Sequence, residues 1–572
     1  MQRTCHARSF IVLAALVLPC GPVFAGEEPV KAAEGVVVSV SPPASDVGRE
    51  ILRRGGTAVD AAVATAFALA VTWPSAGNIG GGGFMMVYPG RGKRPACIEY
   101  RETAPAAATA TTLKDYHRMD GHLVCGTPGT VAGLALAHQR YGRLPWRELV
   151  LPAVRLAREG FPVDAALAGS LNSVLRQSPK FAELQRVFAS PAGKPWRAGD
   201  RLVQPDLGRT LETIAEGGPS AFYRRPIADQ LVAEMKAGGG LITKDDLATY
   251  RARLREPIHG TYRGYEVFAP PPPGSGGICL VEMLNILECL QLKEDPATPG
   301  SNAAPGRWSA QTMHYMIEAM RRAFYDRARY LGDPDFVRIP PHLTSKEYAK
   351  KLAAEIDPVK ATPSDRLAPE IPLMDESENT THFSVMDQHG MAVANTYTLE
   401  NAYGCRVVVR GAGFLLNNEM TDFNRIPGRT DRKGAIGTAA NVIAPGKRML
   451  SSQTPTLVCR DGRLVLVTGT PGGRTIINTV LCVVLGVVEF HRDGRAAVDA
   501  PRLHHAWFPD RVGFEGLGRP EYAATVDRLK RMGHTFPSKA SMQGDAHSIW
   551  IDSATGRPIG VADLRINKKA AQ

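Results

Sequence analysis

The chain has 572 residues, 44% of them hydrophobic and 22% charged, a globular composition able to bury a large core in two domains or in one with an elaborated sheet, which excludes intrinsic disorder as the main state. Nine cysteines are too sparse for a disulfide-stapled scaffold, no repeat of fixed period supports a solenoid, and no Cys/His cluster with zinc spacing points to a metal. The formal charge of +12 is interspersed with acids, as in Met320-Arg321-Arg322 to Asp326-Arg327, so a nucleic-acid partner is excluded as well.

Residues 1–25 read as a secretory leader: Arg3 and Arg8 precede the apolar run Phe10 to Leu18, and Val23-Phe24-Ala25 offers a small-residue cleavage site. A membrane anchor needs about 20 apolar residues. This run is shorter and is broken by Pro19 and Gly21. The mature protein is therefore expected to be exported, periplasmic or secreted, without a stable membrane anchor. Losing the leader removes Cys5 and Cys20 and leaves Cys97, Cys125, Cys279, Cys289, Cys405, Cys459 and Cys482, an odd set in which at least one has no partner within the chain.

Residues 34–140 are rich in Ala, Gly and Val. Ala58 to Val71 predicts a buried helix, and the glycines at 80–83 lead into a strand, Phe84 to Tyr88. That glycine run lacks both GK[ST] and GxGxxG, so it predicts close backbone packing rather than a nucleotide site. From about 140 to 360 helical patterns dominate, among them Thr312 to Tyr330, which follows a Pro271–Gly277 loop whose composition excludes regular structure. Ser275 in that loop is not in the GxSxG setting of a nucleophile elbow.

Residues 361–379 carry prolines, acids and little apolar periodicity, and predict an exposed linker. The pattern then turns to β. Thr381 to Met386, a turn at Asp387-Gln388-His389-Gly390 and Met391 to Leu399 form a hairpin signature, which sets Thr380 where linker meets strand. His382 lies two residues on, on the same strand face, and is expected to be structural. Further along, Leu464 to Thr468 reads as a strand, Gly469 to Gly473 as a glycine turn and Ile476 to Val488 as a helix. His504 and His505 lack a third ligand at recognisable spacing and are expected as hydrogen-bonding core residues.

The sequence from Thr380 to Gly404 resembles the γ-glutamyltransferase family. The likeness extends, in the family's order, through Gly80 to Phe84, Tyr100-Arg101-Glu102, Gly126-Thr127-Pro128-Gly129, Pro271 to Gly277, Tyr330 to Pro334, Asn417-Asn418-Glu419, Ser451-Ser452 and Pro471-Gly472-Gly473. It implies an α/β fold, the four-layer αββα sandwich of the N-terminal-nucleophile hydrolases. It further implies one precursor that cuts itself between Asn379 and Thr380 into a large subunit, 26–379, and a small catalytic subunit, 380–572, which stay associated.

The chemistry implied is attack by Thr380. A hydroxyl is a poor nucleophile alone, and the α-amine freed by the cut titrates near neutrality, at about 7.7 to 8.0, where it serves as base. By resemblance Thr398 hydrogen-bonds the Thr380 hydroxyl, and Gly472 and Gly473 offer backbone N–H groups to the oxyanion, with the following helix adding its dipole. Arg101, supported by Ser451 and Ser452, matches the fork on the α-carboxylate of a γ-glutamyl group, while Glu419, Asp422 and Glu400 match the acids on its ammonium. No cofactor or metal is implied. The expected substrates are glutathione and related γ-glutamyl donors, with water, amino acids or dipeptides as acceptors. A glutaryl or cephalosporin acylase of the same superfamily is the alternative, and a non-catalytic exported binding protein is a third reading. Two departures stand out: Met391 after the hairpin glycine, and a segment from Phe423 to Leu450 long enough for a lid but without a Tyr. Its glycines Gly428, Gly434, Gly437 and Gly446 offer hinges, and Arg429, Asp431, Arg432 and Lys433 offer charge in place of an aromatic gate.

Overall fold

Successive side chains of a strand point to opposite faces, and Val36-Val37-Val38 shows how this chain uses that rule. Val37 belongs to a buried cluster with Ala61, Phe67 and other helical residues, whereas Val36 and Val38 join Phe84, Met86, Leu457 and Val467 in a second one. The protein is described by a computed structural model over residues 30–31, 35–190, 193–295, 307–367, 380–433 and 437–566. The expected leader, Asn379 and Gly434 lie outside the described residues.

Two antiparallel sheets carry the fold. The six-stranded sheet runs, edge to edge, Gly35–Ser39, Thr381–Asp387, Ala392–Thr398, Gly82–Tyr88, Ala96–Glu99 and Arg253–Arg255. The seven-stranded sheet runs Val30–Lys31, Pro558–Val561, Ser548–Ile551, Arg463–Thr468, Thr456–Arg460, Tyr265–Ala269 and Ile258–Tyr262. In both, strands from before residue 380 flank strands from after it. Side chains from one face of each sheet share a cluster containing Phe84, Met86 and Ala394 on one side and Leu457, Val467 and Ile549 on the other. The opposite face of the six-stranded sheet packs on Ala58–Thr72 and neighbouring helices. That of the seven-stranded sheet, through Val458 and Leu466, packs on Gly276–Glu288, Ala310–Tyr330 and Thr475–Val488. Each fully buried Val, Leu or Phe in these clusters contributes roughly 1.5–3 kcal/mol against chain entropy.

The helix expected at 58–71 spans Ala58–Thr72 and is buried over its whole length. Small alanines let it lie between sheet and outer helices, and a capping box formed by Thr57 and Asp60 satisfies its first N–H groups. The hairpin forms over Thr381–Asp387 and Ala392–Thr398, with Gly390 at φ +86° in its turn. Met391, half-buried, packs against the main core there.

Four expectations need correction. The strand after the glycine run already begins at Gly82. The Pro271–Gly277 loop ends in helix, because Gly276 and Gly277 open the helix Gly276–Glu288. A Cβ on Gly276 would lie 1.9 Å from Thr454 Oγ1, so glycine here serves close approach rather than helix breaking. The helix-rich zone also holds the strands Arg253–Arg255, Ile258–Tyr262 and Tyr265–Ala269. The predicted linker contains a short helical turn, Ser364–Leu367, and from 368 to 379 lies outside the described residues. Among the described residues no helix is long and apolar enough to cross a membrane.

Candidate functional site

Thr380 sits immediately ahead of the Thr381–Asp387 strand, only 9% exposed. The ladder pairs Thr381 with Tyr397, a register whose next step sets Thr380 opposite Thr398. Thr398 is held from several directions. Its carbonyl accepts from Asn78 Nδ2 at 2.9 Å, and its hydroxyl oxygen accepts from the Glu400 N–H at 2.8 Å. The glycine run explains itself at this point, since a Cβ on Gly81 would lie 1.9 Å from the Thr398 carbonyl oxygen and one on Gly83 2.3 Å from that of Thr396. Close backbone packing, rather than phosphate binding, is what the glycines serve.

Two residues beyond Thr398 the chain bends sharply: Glu400 adopts φ +74°, a left-handed conformation that costs a non-glycine residue roughly 1 kcal/mol. Carboxylate oxygens of Glu400, Glu419 and Asp422 come within 4.8 Å of one another. Arg101, fully buried, lies among them. Its Nη1 is 2.5 Å from Glu419 Oε2 and 3.4 Å from Glu102 Oε2, its Nη2 pairs with Asp422, and its Nε donates to the Met449 carbonyl at 3.4 Å. Burial works against the guanidinium charge, but Glu419, Asp422, Glu102 and Glu400 outweigh it and hold Arg101 firmly protonated. For the acids burial wins: it pushes the Glu419 carboxyl well above the usual range and Glu102 up to about 7, with Arg101 opposing both. Four carboxyls on one guanidinium make a site short of positive charge, poised for a cation. Arg101 and the acids Glu419 and Asp422, expected at opposite ends of a bound headgroup, are in direct contact with each other here.

Ser451 and Ser452 are fixed from elsewhere. Ser275 donates from both its N–H and its hydroxyl to the Ser451 carbonyl, at 2.7 and 2.6 Å. Arg327 then bridges, donating from Nε to Ser275 Oγ at 2.9 Å and from Nη2 to Ser452 Oγ at 3.0 Å. Ser275 is thus a positioning hydroxyl. Gly472 and Gly473 lie in the turn between the Arg463–Thr468 strand and the Thr475–Val488 helix, with φ of +129° and +52°. Thr475 donates from its N–H and hydroxyl to the Gly472 carbonyl at 3.0 and 2.7 Å, which pins the carbonyl toward the helix.

The sequence profile of the gamma-glutamyltranspeptidase family matches residues 44–572. The chain belongs to that family. It is 44% identical over 565 residues to the glutathione hydrolase proenzyme of Escherichia coli (strain K12), covering 96% of this chain and 95% of that one. In structure it is similar to the cephalosporin acylase of Bacillus halodurans, with a TM-score of 0.81, 28% identity and coverage of 98% and 99%. It is similar also to the gamma-glutamyltranspeptidase of Helicobacter pylori, with a TM-score of 0.55 and 38% identity over 59% of this chain and 96% of that one.

Other features of this gamma-glutamyltranspeptidase chain are structural. His382 is fully buried, with Nδ1 2.8 Å from Thr396 Oγ1 and Nε2 3.1 Å from Ser384 Oγ. Burial and the neighbouring His547 hold it neutral, which suits the structural role expected of it. His504 and His505 bond Asn478 and Asp510, and burial lowers them to about 3 and about 4. His314, Glu318 and His534 are close enough to surround an ion, but Glu318 is paired with Arg321 and Arg322, charges that repel a metal. Only the Glu400, Glu419 and Asp422 group, among the described residues so clustered, has the negative balance a cation needs.

The segment after Phe423 is folded back on itself. Gly428 N–H donates to the Gly437 carbonyl at 2.6 Å, Asn424 N–H to that of Asn441 at 2.9 Å, and Arg432 pairs with Asp365 at 3.0 Å. Gly437 is a close-contact position, since a Cβ would lie 2.3 Å from the Arg429 nitrogen, and Gly428 and Gly446 take the left-handed φ, +78° and +71°, that favours glycine. Lys433 lines a cavity of about 540 Å³ together with Arg474 and Thr475, the residues that follow the glycine pair. Sequence reasoning did not single out Glu102, Asn78 or Arg327. Their signals were faint: Glu102 lies inside a quoted block, Asn78 precedes the glycines by two residues, and Arg327 is one of many arginines on its helix.

Proposed function

We propose that the protein is a self-processing γ-glutamyl hydrolase and transferase of the glutathione-cleaving type. The observation that carries this reading is the two-residue link between nucleophile and headgroup site: the Thr398 hydroxyl, next in register to Thr380, accepts from the N–H of Glu400, whose carboxylate stands with Glu419 and Asp422 around Arg101. A γ-glutamyl group inserted there gives its carboxylate to Arg101 and its ammonium to the acids, which leaves the γ-carbonyl toward the strand end. Thr380 Oγ attacks that carbon, its proton passing to the freed α-amine. Gly472 and Gly473 N–H groups stabilise the oxyanion, and the proton then goes to the departing amine. The resulting γ-glutamyl ester is passed by the same amine base to water or to an amino acid or dipeptide.

The cut between Asn379 and Thr380, the leader at 1–25, export to the periplasm or medium, and association of subunits 26–379 and 380–572 belong to this reading. So does a four-layer αββα sandwich, which the three buried clusters support. The likeness to the Bacillus halodurans acylase favours a second reading, action on a glutaryl amide. A glutaryl group brings no ammonium and leaves the acid cluster uncompensated, which weighs against it. Two measurements on the purified mature protein decide. Its mass reports whether it is cut; a single uncut, inactive chain means a binding protein. Comparison of γ-glutamyl and glutaryl anilides identifies the donor, and equal kcat/KM for the two transfers the assignment to the acylase.

A further inference from the structure

Cys125 and Cys405 have no part in the chemistry above, yet the fold brings them together from 280 positions apart, with Sγ atoms 3.3 Å from each other. Cys125 ends a 3-10 turn, His122–Val124, and Cys405 follows Gly404, whose φ of +52° turns the chain inward. Both thiols are buried, at 1% and 0% exposure. Main-chain bonds hold the two loops in place: the Gly121 N–H donates to the Cys405 carbonyl at 2.8 Å, and the Cys405 N–H to the Leu416 carbonyl at 3.0 Å. The Gly126 N–H donates to Asn417 Oδ1 at 2.8 Å. The other hydrogen-bond partners of the two sulfurs are the carbonyls of Gly121 and Leu416. A disulfide needs its sulfurs at about 2.05 Å, little more than an ångström closer than these two thiols stand. Exported proteins keep such bonds.

We propose that Cys125 and Cys405 form a disulfide that links the two subunits covalently across the cut at Asn379-Thr380. The inference rests on the reading above for export and for the cut, but the juxtaposition of the thiols does not depend on either. Oxidation takes two electrons and two protons from the thiols. An external disulfide of the thiol-oxidising machinery of the exported compartment accepts both: one cysteine thiolate attacks it and releases the first thiol, then the second thiolate attacks the mixed disulfide and releases the other. Burial pushes the Cys125 thiol well above its ordinary range, which disfavours thiolate in the finished fold. The exchange therefore takes place before the pocket closes. The partition also settles the odd cysteine count: one pair, with Cys97, Cys279, Cys289, Cys459 and Cys482 left as thiols.

The test uses the full chain expressed with its leader, purified without reductant, denatured in N-ethylmaleimide and digested. A peptide pair joined through Cys125 and Cys405, lost on reduction, is expected in near-stoichiometric yield. On a denaturing gel the two subunits should run as one species without reductant and as two with it. Cys405→Ser and Cys125→Ser should each run as two without reductant while keeping anilide turnover within a few-fold of wild type. Maleimide on both Cys125 and Cys405 of the active wild-type protein overturns the proposal. An uncut chain that still yields the joined peptides refutes the cleavage reading and leaves the disulfide standing.

Discussion

Replacing Arg101 by Gln removes the single positive charge from a pocket of four carboxyls, and the cost follows from pH. Glu419 and Glu102 are already pushed upward by burial with the guanidinium present. Without it, the cheapest remedy is uptake of one more proton by Glu400, a glutamate side chain whose ordinary pKa is about 4.3. Holding that proton costs about 1.4 kcal/mol for each pH unit above the ordinary value, so roughly 5 kcal/mol at pH 8 and roughly 1.6 kcal/mol at pH 5.5. The larger figure agrees with the roughly 3–5 kcal/mol expected when one partner of a buried ion pair is deleted. The sign is that of a carboxyl whose folded pKa lies above its unfolded one: its stability is present at low pH and lost as pH rises. Urea unfolding of Arg101→Gln in a Thr380→Ala background, where the chain stays in one piece, should show that loss widening by about 3 kcal/mol from pH 5.5 to pH 8. In the active background kcat/KM for a γ-glutamyl anilide should fall by at least about 30-fold. An equal loss at both pH values, or a larger one at pH 5.5, refutes the placement of Arg101 among ionisable acids.

Thr380→Ala alone should give a folded, uncut and inactive chain with a thermal midpoint close to wild type, because no core side chain is lost; N-terminal sequencing of the small wild-type subunit should begin Thr-Thr-His, and processing of the variant at the normal rate would identify another nucleophile. Glu102, held up to about 7 from 4.5, should subtract about 3 kcal/mol of stability as pH rises from 4.5 through 7. Glu102→Gln in the uncut background should flatten that slope, and an unchanged slope assigns the titration elsewhere. Shortening residues 428–440 to a brief turn removes Lys433 from the cavity beside Arg474. Turnover of small donors should stay within a few-fold while poly-γ-glutamate becomes a substrate, and continued exclusion of the polymer shows that the segment is not a lid.

Where local pattern and final environment agree, the sequence is a sufficient guide. The alanine-rich helix at 58–72, an unbroken apolar run, and the 381–398 hairpin and the strand-turn-helix around Gly472, bounded by turn residues, are such cases. Tyr265–Ala269 was missed because it alternates over only five residues beside proline-rich loop. Gly276 misled because two backbones meeting at Thr454 ask for glycine as firmly as a turn does. At the site, residue types were legible and contacts were not. Nothing in the order Arg101, Glu400, Glu419, Asp422 tells that all four share one buried pocket, or that the guanidinium rests on the acids before any ligand arrives.

The hairpin that starts at Thr381 lies inside the six-stranded sheet, with Gly35–Ser39 on one side and Gly82–Tyr88 on the other. Neither product of a cut ahead of Thr380 then owns a complete sheet, and parting them means tearing ladder hydrogen bonds rather than separating two finished surfaces. Cutting thereby changes the molecularity of refolding. The precursor finds its fold as one chain at a rate independent of dilution, whereas the matured pair, once denatured, must meet again in a second-order step against aggregation of exposed strand edges. Maturation in this architecture is a one-way door: the enzyme's lifetime is set by how slowly it opens, since it has little means of closing again. A sulfur–sulfur bond between the halves, as proposed for Cys125 and Cys405, would make the pair one molecule again without undoing the amine that such a cut releases.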